Sequence, residues 1–509
     1  MQRKSSNSES HSEAIARISK DDVGSRARGG VVWSIFQIAG RHIISIATTA
    51  LLARILSPGD YGLVGMVATL TALLLVFSDM GLSWATVQRD QLTRIQVSNL
   101  FWVNIVAGGA LWGVCALLAP VVSDFYRQPD LIAITTVMGA SFLLSGIAVQ
   151  PIALMQRQMR YKEIATMEVF SLLAGAGAGI ASAIAGYGYW ALVVQALVVQ
   201  VARGAIAMPR SGLGVMAPRS GVNTASLLSF GGLIAINGLL IYLARNFDSV
   251  LIGRWWGSEA LGHYNRAYFL MMLPSMLATG VLTRLMVPSL AAFQDDHDRF
   301  GAAYRRAVAL VAFVGCPMAA GLALTAEEAV RLVYGEKWVS VAPMVVWLSI
   351  AGVTQPIYNT TGWLFTAAGK AKAYLLLTVM NAVVLVIGFF VAVSHGVLAV
   401  SAVYGVLMGV VLLGPSLWWA HKCVSIKLSE TVKQLRPVFL CLVVMICAVM
   451  VVDWSLDLGE LDWSLRLLVK VLVGVFFYAV CAHNFLPVSL KSEIFGLFGK
   501  KNSGHELSV

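Results

Sequence analysis

Charge is what this 509-residue sequence has little of. Asp, Glu, Lys and Arg make up 12% of it, about half the usual quarter. A soluble fold with so few charges would not cover its surface with polar groups. Catalytic signatures are also missing. There is no Walker A, HExxH or GxSxG pattern, and the eight histidines show no metal-ligand spacing. No enzyme chemistry, no cofactor and no metal is expected. The six cysteines (Cys115, Cys316, Cys423, Cys441, Cys447 and Cys481) form no CxxC pair, and five lie in apolar runs. They read as small buried hydrophobes, not as a disulfide framework. The first 28 residues are polar, with Arg3, Lys4, Arg17, Lys20, Arg26 and Arg28 among them. No apolar run with a cleavage site lies behind them, so no signal peptide is expected to be removed. Hydrophobic residues, by contrast, reach 58%. That excess excludes a cytosolic enzyme and a disordered chain and points to a polytopic membrane protein.

A membrane-spanning helix needs roughly 20 mostly apolar residues. Fourteen segments qualify, at about 30–53, 61–79, 99–119, 131–154, 164–185, 188–207, 228–253, 264–287, 306–326, 341–366, 374–394, 397–419, 437–453 and 465–486. The expected fold is an all-α polytopic membrane protein. Lysine and arginine set its orientation. With the N-terminus in the cytoplasm, 26 of the 37 fall in cytoplasmic tails and loops, seven on the opposite side and four (Arg41, Arg245, Arg284 and Lys470) within spans. Both termini are therefore expected on the cytoplasmic side of the membrane. The net charge of +11 reads as this asymmetry plus attraction to anionic lipid, with no nucleic-acid partner.

The sequence also repeats itself. Arg54 and Gly62 after the first span match Arg254 and Gly262 after the seventh, an offset of 200. The run from Ala119 to Tyr126 resembles Glu327 to Tyr334, and Gln150-Pro151 matches Gln355-Pro356. Both copies start inside, so the repeat is parallel. The expected organisation is a cytoplasmic tail at 1–28, an N-lobe of six helices at 29–210, a linker at 211–225 and a C-lobe of six helices at 226–420. Two extra helices at 437–487 and a cytoplasmic tail at 488–509 complete it. In parallel-repeat transporters the substrate site lies where such lobes meet, here a central cavity.

Polar residues inside spans mark function, because a charge at mid-membrane costs about 2.5–3.5 kcal/mol on insertion scales. Arg41 lies near the middle of the first span, on a stripe with Ser34, Gln37, Ser45 and Thr48. At the repeat offset the seventh span carries Asn237, Arg245 and Asp248. Matching stripes on repeat-related helices point to a wet cavity. In the alternative, Arg245 and Asp248 neutralise each other on one helix and a carbonyl holds Arg41. His42 is a cavity or core residue, and Arg284 either faces the cavity or snorkels. Asp296-His297-Asp298 has the DxD form of many sugar-nucleotide transferases, but it reads as a solvated turn with no catalytic domain attached. The pairs Gly175/Gly179, Gly109/Gly113 and Gly405/Gly409 fit close helix packing.

Several short motifs carry a family resemblance. They are Arg54-Ile-Leu-Ser-Pro-Gly-Asp-Tyr-Gly62, Phe77-Ser-Asp-Met-Gly-Leu82, Gln88-Arg89, Tyr334-Gly-Glu-Lys-Trp338, Ala342-Pro343 and Ala368-Gly369-Lys370. Through them the chain, over roughly residues 29–420, resembles the polysaccharide-transport branch of the multidrug/oligosaccharidyl-lipid/polysaccharide exporter superfamily, the Wzx-type flippases. The resemblance implies two six-helix lobes in a V that alternate between inward- and outward-facing states. It implies an oligosaccharide repeat unit on undecaprenyl diphosphate as cargo, moved to the periplasmic leaflet for exopolysaccharide, capsule or O-antigen assembly. It further implies a polysaccharide polymerase and a chain-length regulator as partners. A diphosphate needs fixed cations in a wet path, which Arg41, Arg245 and Arg284 offer, while Asp248 reads as the one buried carboxylate for proton coupling. A drug/cation antiporter and a lipid II flippase of the same superfamily remain the alternatives. A membrane glycosyltransferase or a polymerase needs a large catalytic or periplasmic loop, which this sequence has no room for.

Overall fold

The computed structural model describes residues 20–78, 82–88, 93–218, 231–294, 296–456 and 461–486. Among these residues sixteen α-helices and no strand are found. The first seven are α1 Lys20–Ile55, α2 Pro58–Ser78, α3 Leu82–Gln88, α4 Arg94–Tyr126, α5 Leu131–Arg157, α6 Tyr161–Ile184 and α7 Trp190–Ser211. There follow the long α8 Gly231–Ala291, α9 His297–Leu324, the short α10 Ala326–Tyr334, α11 Ala342–Ala367 and α12 Ala371–Ala392. Then come α13 Val397–Val406, α14 Leu413–Val424, α15 Leu428–Leu456 and α16 Trp463–Phe485. A π-turn at Leu407–Val411 joins α13 to α14. Eleven membrane-spanning stretches are long and apolar enough among the described residues. Of the expected spans 61–79, 228–253 and 264–287, the described residues 61–78, 231–253 and 264–287 lie in α2 and α8, outside that eleven. Parts of the Phe77–Leu82 motif, Arg89, the N-terminal residues 1–19, linker residues 219–225 and the C-terminal tail from 488 lie outside the described residues.

The family motifs are helix punctuation. Ser57 and Asp60 cap α2 reciprocally: Ser57 N–H donates to Asp60 Oδ2 at 2.8 Å and Asp60 N–H to Ser57 Oγ at 3.2 Å. Pro58 sits at the first helical position, where its missing N–H costs nothing. In Tyr334-Gly-Glu-Lys-Trp338 the glycine has φ 94° and ends α10, and the fully buried Trp338 lies with its ring 5.7 Å from that of Tyr334. Pro343 then opens α11. The DxD is likewise a cap: Asp296 Oδ1 accepts from Arg299 N–H at 3.1 Å and starts α9, leaving His297 and Asp298 exposed.

One device occurs twice. After α5, Met159 takes φ 52°, and Arg160 donates to the carbonyl of Arg210 at the end of α7. After α11, Gly369 takes φ 67°, and Lys370 donates to the carbonyl of Cys423 at the end of α14. In each copy a left-handed residue turns the chain so that the next side chain, a cation, satisfies orphan carbonyls at a helix C-terminus.

Glycine packing agrees with two of the three expected pairs. A Cβ at Gly175 would meet Gln195 O at 2.9 Å, and one at Gly179 would meet Ala191 O at 3.2 Å, so α6 and α7 approach closely. Gly405 and Gly409 likewise face backbone carbonyls of α11 at Trp347 and Ile350. Gly109 and Gly113 do not pack this way: Gly113 has nothing within 4 Å. The close approach of α4 to α5 uses Gly108, against Phe142 O at 2.5 Å, and Gly146, against Asn104 O at 2.6 Å. A one-residue shift rotates a helix face by about 100°, and Gly108 lies on the buried side.

The chain forms two compact units, residues 1–265 and 266–509. In the first, α1 packs on α6, and α4, α5 and α7 pack together. Residues 231–265 of α8 belong to it, anchored where Gly253 lies against the ring of Tyr126. In the second, α9 packs on α11 and α15, and α16 on α15 and α10.

Candidate functional site

The stripe on α1 is graded along the helix. Thr48 is buried, Ser34, Gln37, His42 and Ser45 are half-buried, and Arg41 is exposed. An adjoining side of α1 faces α6, with Gly40 against Val169 and Lys162 5.6 Å from the Trp33 ring. The Arg41 guanidinium has no hydrogen-bond or ion-pair partner among the described residues, so the arrangement in which a carbonyl holds it is not found. Asn237 and Arg245 lie in the first part of α8 and Arg284 in its last part. The side chains of these three fall outside the described residues, and so does the expected Arg245–Asp248 pair.

Asp248 is buried, at 2% exposure. Its Oδ2 accepts from Tyr264 Oη at 2.6 Å and its Oδ1 from Ser249 N–H at 2.7 Å. Between Asp248 and Tyr264 the helix breaks at Gly257, with φ 81° and ψ −175°, a conformation that only glycine adopts readily. The Asp248–Tyr264 bond clasps the two arms of α8 across that break.

The break brings the repeat copies into contact. A Cβ on Gly62 would collide with the carbonyl of Ser258, and one on Gly262 with the carbonyl of Pro58. At the 200-residue offset Pro58 corresponds to Ser258 and Gly62 to Gly262. The contact is thus reciprocal. Equivalent positions also meet directly: the Gly262 Cβ position is 3.2 Å from Gly62 N, and that of Gly65 is 2.6 Å from Asn265 Nδ2. Backbone against backbone at this distance requires glycine on both sides.

Asp248 is not the sole buried carboxylate, because Glu328 is buried too. Glu328 on α10 and Lys470 on α16 have side chains 9% and 5% exposed, and Lys470 Nζ lies 2.7 Å from Glu328 Oε1 and 2.6 Å from Asp453 Oδ1 on α15. In the first unit Glu168 on α6 pairs with Arg203 on α7 at 2.7 Å. Lys470 inside a span demanded a carboxylate; the 142-residue separation from Glu328 hid which one. Each of these carboxylates already has its cation. Among the described residues Asp248 differs, held by a phenol and a backbone N–H. Among the described residues no group of three or more His, Cys, Asp or Glu has the arrangement of a metal site.

The gross architecture has known counterparts. A family profile described as polysaccharide biosynthesis protein matches residues 51–343, more than half of the chain. The teichuronic acid biosynthesis protein TuaB of Bacillus subtilis (strain 168) is 27% identical over 457 residues, covering 88% of this chain and 93% of that protein. The lipopolysaccharide biosynthesis protein WzxC of Escherichia coli (strain K12) is 26% identical over 347 residues, covering 67% of this chain and 70% of that protein. Among solved structures the fold is similar to the lipid II flippase MurJ in an inward closed conformation, with a TM-score of 0.72, 11% identity and coverage of 92% and 99% of the two chains. It is also similar to an inward-facing multidrug resistance MATE family transporter, with a TM-score of 0.61, 14% identity and coverage of 75% and 94%.

Proposed function

The chain belongs to the polysaccharide biosynthesis protein family, and we propose on that premise that it flips an undecaprenyl-diphosphate-linked oligosaccharide repeat unit. The direction is from the cytoplasmic to the periplasmic leaflet of a bacterial inner membrane, with both termini in the cytoplasm. Its product feeds a polysaccharide polymerase and a chain-length regulator. Such a reading accords with relatives named for the biosynthesis of teichuronic acid and lipopolysaccharide. The observation that carries it is Arg41: an exposed guanidinium in an apolar helix, with no counter-charge among the described residues. Such a cation is tolerated where water reaches it, and it attracts a passing diphosphate. A cation antiporter needs carboxylates free to bind its cargo, whereas Glu168 and Glu328 are already paired and both oxygens of Asp248 accept hydrogen bonds from Tyr264 and Ser249.

Arg41 is the substrate contact in this reading, with Gln37, His42, Asn237, Arg245 and Arg284 as further contacts. Asp248 is the coupling group. Protonation removes the charge that its clasp with Tyr264 rests on, and so links a proton to the bend of α8 beside the Gly62–Ser258 contact. No bond in the cargo breaks, so no nucleophile or general acid is required. The polymer-secretion assay tests the proposal. Arg41→Ala at matched membrane expression loses export by at least about tenfold, the equivalent of one lost charge-assisted bond. Arg41→Lys retains part of it, because a point charge remains at the same depth. Normal secretion by Arg41→Ala rejects the role.

A further inference from the structure

A cavity of about 900 Å³ opens in the second unit, lined by α10, α11 and the facing ends of α15 and α16. Its volume falls within the roughly 300–1,000 Å³ of ligand clefts. Lys470 lines it, bonded to Glu328 and Asp453. Arg331 lies on its wall, 2.9 Å from Glu327 and 3.3 Å from Glu336. Arg466 lies 3.4 Å from Asp453. Asp462 caps α16, accepting from the Ser464 hydroxyl and backbone N–H, which hold its carboxyl below the ordinary range and keep it ionised. Beside it Trp463 lines the cavity, together with Pro343 and Val346 of α11.

The charge balance decides what fits. Four lining carboxylates accompany three lining cations, and each cation already lies against a carboxylate. An anion entering here meets the carboxylates, and a metal cation meets the three basic groups. Hydrogen-bonding capacity is nevertheless left over. A carboxylate has about four lone-pair sites, more than Glu327 and Asp462 use in the bonds found among the described residues. Ion pairing also fixes the groups in place, so less side-chain entropy is lost on binding. A hydroxyl donates and accepts at once and carries no charge, so it matches such a surface. The indole of Trp463 adds a flat apolar platform with a polar edge.

We propose that this cavity binds an uncharged, hydroxyl-rich saccharide: the glycan part of the cargo, on the side of the membrane away from the basic loops. The source of that glycan rests on the export reading; the binding chemistry does not. The test is titration calorimetry on the full-length protein in detergent, with a short neutral oligosaccharide cut from the host's own secreted polymer. The wild type binds the fragment. Trp463→Leu and Asp462→Asn each weaken binding by at least about tenfold. Asn still caps a helix and neither change touches Lys470, so Asp462→Asn carries the test if Trp463→Leu fails to fold. No binding to the wild type, or binding unchanged in the folded variants, overturns the proposal. So does displacement of the fragment by sodium pyrophosphate, which would mark an anion site. The export reading fails separately, by normal polymer secretion from Arg41→Ala.

Discussion

Lys470 neutralises Glu328 in a setting where both are nine-tenths or more buried, while Asp453 keeps access to water. Lys470→Met leaves Glu328 buried and uncompensated, an effect of about 3–5 kcal/mol. The expected result is a large fall in the detergent melting temperature. Lys470→Met with Glu328→Gln recovers most of it, and failure of that rescue would mean the pair is not what holds α10 to α16. Asp248 needs a different test, because its Tyr264 clasp competes with the Arg245 pairing expected from spacing. Arg245→Gln, Asp248→Asn and the double substitution are compared by polymer secretion. Under the coupling role the double variant is no better than either single one, whereas near-normal secretion from it marks a plain ion pair. At this scale the sequence disclosed which residues are out of place in a membrane, Arg41 and Lys470 among them. It did not disclose the partner of Lys470, since a contact across 142 residues leaves no periodic trace.

Helix starts and stops were legible because they depend on neighbours a few residues apart. Ser57-Pro58-Gly59-Asp60 states its capping box outright. Interhelical faces were less so. Three glycine pairs have the same spacing, yet Gly113 faces open space and Gly108, one residue from Gly109, makes the contact. Only the partner helix determines which face is used. Two substitutions follow. Gly113→Ala is neutral or stabilising, by up to about 1 kcal/mol, since it gains helix propensity with no collision. Gly108→Ala drives a methyl into the Phe142 carbonyl and destabilises by about 1–3 kcal/mol, the range of overpacking. Thermal melts of the two variants in parallel separate the faces; equal melts would refute the register.

The whole molecule was read through lysine and arginine, and that signal is global because the membrane sorts loops by side. Reporter fusions after residues 90, 160, 215, 297, 371 and 430 should read cytoplasmic, and those after 127, 260 and 336 periplasmic. The fusion at 260 matters most, because an inside reading there would make the repeat antiparallel. The repeat itself was faint in sequence, resting on a few identities such as Arg54/Arg254 and Gly62/Gly262. Its sharper form, a cation placed by a left-handed residue onto a distant helix end, joins Met159-Arg160 to Gly369-Lys370. Met and Gly share no side chain, so only backbone geometry reveals the correspondence.

The reciprocal contact of residues 58–62 with 258–262 has the logic of an isologous interface, in which a patch touches its own counterpart about a two-fold axis. A six-helix protein that paired with itself would have needed such a self-complementary patch before its gene was duplicated and fused. Fusion relaxes that demand elsewhere, since each half can then diverge alone. At Gly62 and Gly262 it cannot, because the obstruction on each side is a main-chain oxygen that no substitution in the other half removes. Gly62 and Gly262 are therefore fixed by main-chain atoms, which no change of side chain can move aside.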